Sequence, residues 1–153
     1  MSRPPLQTFL ASRVGVSSPA SFAPAMLRRA FGATSFRGFW RHWNPLYGYV
    51  LRYYCYLPLR QVLPDSMSLV ITFALSGFVL HDLVIWGVVG HPLFPVVTLA
   101  FVLLAGLVLI SSAAGVSLRA FSPSQRAAAH VAAILGAFVL STVAAFAYYA
   151  ANA

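Results

Sequence analysis

His81 and Asp82 stand side by side inside a long apolar run that is otherwise uncharged. A neutral imidazole can accept a proton, which is the task of a general base at neutral pH. An ionisable side chain within hydrocarbon costs about 2.5–3.5 kcal/mol even on lenient scales, so its presence marks a function by default. Successive helical residues diverge by about 100°, so Asp82 does not orient the His81 ring and another group must hold it. The structural alternative is that His81 bonds a neighbouring helix and Asp82 lies near the outer interface. A second chemical cluster is Phe39-Trp40-Arg41-His42-Trp43-Asn44, followed by tyrosines to Tyr56 with Arg52 among them. Aromatic rings with polar edges, interleaved with arginines, suit a membrane–water boundary. Asn44 before Pro45 also suits a helix start: the asparagine accepts from free amides of the first turn, and proline there loses no bond.

Several other chemistries find no support. His42, His81, His91 and His130 lack metal-ligand spacing, and Cys55 is the single cysteine, so no metal and no bound cofactor are expected. There is no glycine-rich phosphate loop and no G-x-S-x-G elbow. His91, beside Pro92, and His130, near an arginine-bearing helix end, are expected at the surface or an interface.

The elements that must position these residues follow from composition. Of 153 residues, 60% are apolar and 8% charged, against about a quarter charged in a soluble domain. The formal charge is +8, and every basic residue is arginine. Long uncharged runs leave no polar groove for bases and phosphates, so nucleic acid is excluded and the lipid bilayer is the expected partner. About 20 apolar residues cross roughly 30 Å of hydrocarbon as helix, and three windows qualify, at about 67–89, 93–110 and 127–149. The expected fold is an all-α membrane protein with three transmembrane helices and an interfacial or re-entrant amphipathic helix. Residues 1–34 form a flexible basic arm, with a broken amphipathic element around Ala25–Phe31 as the alternative. Residues 35–60 are the aromatic-basic interfacial segment, and 61–153 the three-helix domain. Within 35–60, a helix from Asn44-Pro45 has about 13 residues before Pro58 discourages it, too few to span. Pro92 and Pro95 suit the opening turn of the second span.

All ten arginines precede the first span or lie between the second and third, which predicts a cytoplasmic N-terminus and an outside C-terminus. The second span, rich in Leu, Val and Phe, is expected to face lipid. In the third, Ala129, Ala133, Ala137, Ser141 and Ala145 recur every four residues and form a row that receives a helix partner at close range.

Two stretches resemble one family. Phe39-Trp40-Arg41-His42-Trp43-Asn44, continued by Tyr53-Tyr54-Cys55-Tyr56-Leu57-Pro58-Leu59, is similar to the signature of membrane-bound O-acyltransferases. Thr72-Phe73-Ala74-Leu75-Ser76-Gly77-Phe78-Val79-Leu80-His81 resembles the histidine segment of the same family, in the same order and at similar separation. The resemblance covers about residues 36–89. It implies that His81 is a catalytic base, taking the proton from an acceptor hydroxyl as that oxygen attacks an acyl thioester such as acyl-CoA. It places Asn44 at a polar active-site position and implies that Trp40, Arg41 and Trp43 shape the chamber for donor and acceptor. Family members usually have eight or more membrane helices, and Asp82 replaces the small residue that commonly follows the histidine. Three helices do not enclose a water-excluding chamber, so the chain is expected to act as a homo-oligomer or as a subunit of a hetero-complex. The alternative function is a non-catalytic accessory subunit of a larger membrane assembly. The expected location is a bacterial inner membrane.

Overall fold

A computed structural model describes residues 3–15 and 19–153. In chain order the helices are α1 (Leu6–Val14), α2 (Pro19–Phe31), α3 (Phe36–His42), α4 (Pro45–Val50), a π-helical turn (Leu51–Tyr56) and α5 (Leu57–Leu59). They are followed by α6 (Asp65–Gly77), a second π-helical turn (Phe78–Asp82), α7 (Leu83–Val89), α8 (Val96–Ala113) and α9 (Pro123–Ala151). Three stretches are long and apolar enough to cross a membrane: Asp65–Val89, Val96–Ala113 and Pro123–Ala151. The protein is therefore an all-helical integral membrane protein, as the composition predicts.

The second span starts at Val96, three residues later than expected. Pro95 forces Phe94 towards extended backbone, which keeps 92–95 out of the helix, and the Phe94 amide donates instead to the Tyr149 hydroxyl at 2.8 Å. The third span starts earlier, at Pro123, through a capping box: the Ser122 side chain accepts from Gln125 N, and the Gln125 side chain accepts from Ser122 N. That S-x-x-Q signal with proline at the first helical position is legible in the sequence.

The second span, expected to face lipid, is central and packs between α6 and α9. Ala100 and Ala105 are fully buried and Leu104 and Val108 nearly so. Hydrophobicity does not reveal which faces of a span meet protein, because lipid and protein core are equally apolar. The small-residue row of the third span faces inward: Ala137, Ser141 and Ala145 are buried, Ala137 packs with Ala100 and Leu104, and Ser141 Oγ donates to the Val96 carbonyl at 2.6 Å. At Ala137 and Ser141 the helix at the row is the second span of the same chain.

Gly77 marks the closest approach of the first two spans, since a Cβ there would lie 2.7 Å from Thr98 Cα. Gly77→Ala is expected to push the spans apart at a cost of about 1–3 kcal/mol, read as a lower melting temperature in detergent; an unchanged melting temperature would show that the contact is loose.

Where a flexible arm is expected, the described residues form α1 and α2, with Phe9, Val14, Ala25 and Ala30 buried. Phe9 meets the rings of Tyr49 and Tyr53 edge-on at 5.2 and 6.0 Å, and the Tyr49 hydroxyl donates to Pro4 O at 2.9 Å. The interfacial segment supplies the surface on which the N-terminal helices fold, and local Ser and Pro content does not register that surface. The residues just after α2 are pinned to the third span and to the loop before it. Three successive carbonyls, of Gly32, Ala33 and Thr34, accept from Arg126 Nη1 (3.4 Å), His130 Nε2 (3.0 Å) and Leu118 N (2.8 Å). His130, expected at a surface or interface, is only 1% exposed; α3 covers it, with Phe36 and Phe39 rings at 5.3 and 5.0 Å.

Candidate active site

The aromatic-basic segment is not one helix but two, broken at Trp43-Asn44. Ser35 caps α3, its hydroxyl accepting from Gly38 N at 3.0 Å. Asn44 then takes a left-handed conformation with φ +39°, the one non-glycine residue with positive φ among the described residues. Asparagine tolerates that region better than most side chains, and the turn directs the chain into α4. Its side-chain oxygen accepts from Tyr47 N at 3.5 Å, a long and weak cap. The helical path from Pro45 runs through Pro58 to Leu59 instead of stopping before the proline. The π-helical turn explains this: the Leu57 amide reaches back five residues to Arg52 O, which widens the turn where proline would otherwise clash with the carbonyl four residues earlier.

The second π-helical turn carries the histidine. His81 Nδ1 lies 3.1 Å from the Ser76 carbonyl oxygen, five residues back. A carbonyl only accepts, so this contact puts a proton on Nδ1, and in the neutral imidazole that leaves the lone pair on Nε2. The group that holds the imidazole is thus the backbone of its own helix, presented by the wider turn. π-Helical turns recur at functional sites for this kind of reason. The ring leans on Phe101 of the second span at 5.3 Å, and Phe101 also meets Trp40 at 5.9 Å.

Asp82 points away from His81, as their angular separation requires. It is 2% exposed, and its carboxylate accepts from Val97 N at 3.2 Å, Thr98 N at 2.7 Å and the Thr98 hydroxyl at 2.6 Å. It caps the second span from the first, a role for which the sequence carries no local signal because the donors lie 15 and 16 residues away.

One cavity of about 550 Å³ brings Trp40, Arg41, Trp43, Asn44 and His81 together. Trp40 also packs edge-on against Phe73 at 5.1 Å, and Trp43 stacks on buried Phe39 at 5.4 Å, so both rings join the cavity wall to the core. Sequence reasoning missed several wall residues: Arg13 from α1, Arg37 from α3, Arg52 and Tyr56 from the first π-helical turn, Thr72 and Ser76 from α6, and Phe101 from the second span. Arg37, Arg52 and Tyr56 stood inside the segment already singled out; Arg13 and Phe101 gave no signal. Burial and the hydrogen bond to the Asp65 carboxylate push the Tyr56 phenol above its ordinary range, so it stays protonated at neutral pH. Burial, then the nearby Arg41 and Arg52 charges, lower Arg13 from the ordinary arginine range. Among the described residues no group of three His, Cys, Asp or Glu side chains is placed to hold a metal ion.

The interfacial segment and the first span of this helical membrane protein thus place an asparagine and a histidine on one ligand-sized cavity. The chain belongs to the MBOAT, membrane-bound O-acyltransferase family, whose model matches residues 14–148. Its function at the family level is acyl transfer in the membrane, and members of the family use acyl donors such as acyl-CoA. The match extends well beyond residues 36–89, covering the first two spans and most of the third. Comparison with curated proteins and with solved structures found no match.

Proposed function

We propose that this chain moves an acyl group from a thioester donor to a hydroxyl acceptor, with His81 as general base. The supporting observation is the shared cavity: at about 550 Å³ it falls within the roughly 300–1,000 Å³ of small-molecule sites, and it is lined by both His81 and Asn44. His81 Nε2 takes the proton from the acceptor hydroxyl as its oxygen attacks the thioester carbonyl. The Asn44 side-chain amide donates to the oxyanion of the tetrahedral intermediate. The C–S bond then breaks, and the leaving thiolate takes the proton back from Nε2, which yields the ester, a free thiol and a neutral histidine. Trp40 and Trp43 form the walls against which the acyl chain and acceptor lie, and Arg41 places positive charge beside them.

Further helices, from a second copy or from another subunit, complete the chamber walls in this reading. The accessory-subunit alternative draws no support from the middle of the small-residue row, where the chain's own second span meets Ala137 and Ser141. The test is chemical: chain purified into vesicles should release free thiol from an acyl thioester only when a hydroxyl acceptor is supplied. Thiol release indifferent to the acceptor would overturn the reading.

The N-terminus belongs on the cytoplasmic side of a bacterial inner membrane, and the C-terminus outside. The arginine distribution supports this orientation, as does Arg126, which lies in the first turn of the third span and bonds Gly32 O beside the N-terminal helices. Protease added to the outer face of intact cells should spare residues 3–34, and cleavage there would reverse the topology.

A further inference from the structure

We propose that Arg13, Arg41 and Arg52 form a subsite for a phosphate ester on the same cavity as His81 and Asn44. All three side chains line that cavity, yet they come from separate elements: α1, α3 and the first π-helical turn. No carboxylate side chain of the chain is left to neutralise them. Its two acidic residues are committed elsewhere, Asp65 to Arg60 at 2.9 Å and Asp82 to the second span. Clustered like charges raise the free energy of the empty site, and a bound anion removes that repulsion.

Arg13 is held in position for such a role. Neighbouring Val14 is 1% exposed, the Arg13 carbonyl lies 2.8 Å from His42 Nδ1 and accepts from Arg29 Nη1 at 3.5 Å, and its guanidinium sits over the Phe9 ring at 4.8 Å. The depressed proton affinity of Arg13, traced to burial and to Arg41 and Arg52, agrees with a guanidinium that faces its like-charged neighbours. Guanidinium forks pair with phosphate oxygens two bonds at a time, and three guanidinium charges match a multiply charged phosphate ester better than a singly charged carboxylate. The first N-terminal helix, α1, therefore contributes part of the ligand site. Assignment of this anion as the phosphorylated end of the thioester donor rests on the acyl-transfer reading; the headgroup of an anionic lipid offers the same chemistry.

The experiment titrates inorganic pyrophosphate at constant ionic strength into full-length chain in phosphatidylcholine nanodiscs, read by calorimetry. Wild type should bind, and Arg41→Gln and Arg52→Gln, both at exposed positions that leave the core intact, should each weaken binding about tenfold. Arg13→Gln should do the same. Arg60→Gln, whose partner is Asp65, should bind as wild type. Equal affinity in the three cavity variants, or an equal loss in Arg60→Gln, overturns the subsite. Competition by coenzyme A assigns the site to the donor. Competition by phosphatidic acid in the disc, with none by coenzyme A, assigns it to lipid. His81→Ala should leave pyrophosphate affinity unchanged, so a failure of the acyl-transfer reading is seen separately from a failure of the anion site.

Discussion

Substitution of His81 by alanine is expected to lower acyl transfer by about 10²–10⁴-fold, the usual worth of a positioned general base, with little effect on insertion or folding. The structural cost is small because the ring bonds only the Ser76 carbonyl of its own helix and rests on one side against Phe101. Its removal leaves no charge stranded and no partner side chain unpaired. The residue is exposed where a packing histidine would be enclosed, and vacant space lies beside it. Added imidazole should restore part of the lost rate by occupying the vacated position, a rescue that a packing role does not predict. Transfer at the wild-type rate by His81→Ala would end the catalytic assignment.

The neighbouring substitution should behave in the opposite way. Asp82→Ala is expected to destabilise the fold by about 3 kcal/mol, because it leaves the Val97 and Thr98 amides and the Thr98 hydroxyl without their acceptor at the buried start of the second span. Loss of an N-cap costs about 0.5–2 kcal/mol, and each buried donor left unpaired about 1–3 kcal/mol, with incomplete additivity. In detergent this corresponds to a melting temperature lower by roughly 6–12 °C. Asp82→Asn should lose less, since its amide oxygen still accepts. Catalysis per folded molecule should persist in both variants below the transition. A melting temperature equal to that of wild type in Asp82→Ala would show that the cap carries no stability. Two adjacent residues, equally conspicuous in the sequence, thus separate into a ring bonded only within its own helix and a carboxylate that ties two spans together.

The Asn44 turn shows how far local reading extends. Its asparagine-proline pair predicts a helix start, and Pro45 does open α4 with Asn44 as cap. The left-handed backbone at Asn44 and its place on the cavity wall do not follow from that pair, because both depend on α3 being packed through Phe39 against Phe31 and His130. The continuation through Pro58 was equally hidden, since the five-residue hydrogen-bond step that admits proline is set by the fit of the whole segment against α6.

Length, hydropathy and composition by themselves determined that the chain carries three helices able to cross a membrane and an aromatic, basic segment before the first of them. They did so because the cost of burying charge and unpaired backbone in hydrocarbon acts on each window of residues independently of the rest. The family that two short stretches resemble is the one whose model matches residues 14–148. Only the tertiary structure decided that the second span is central, that the N-terminal stretch folds over the interfacial helices, and that Asp82 is a cap while His81 faces a cavity. Those outcomes turn on which apolar face meets protein and which meets lipid. The two environments offer nearly the same transfer free energy, so close packing and a few buried hydrogen bonds between distant residues make the choice.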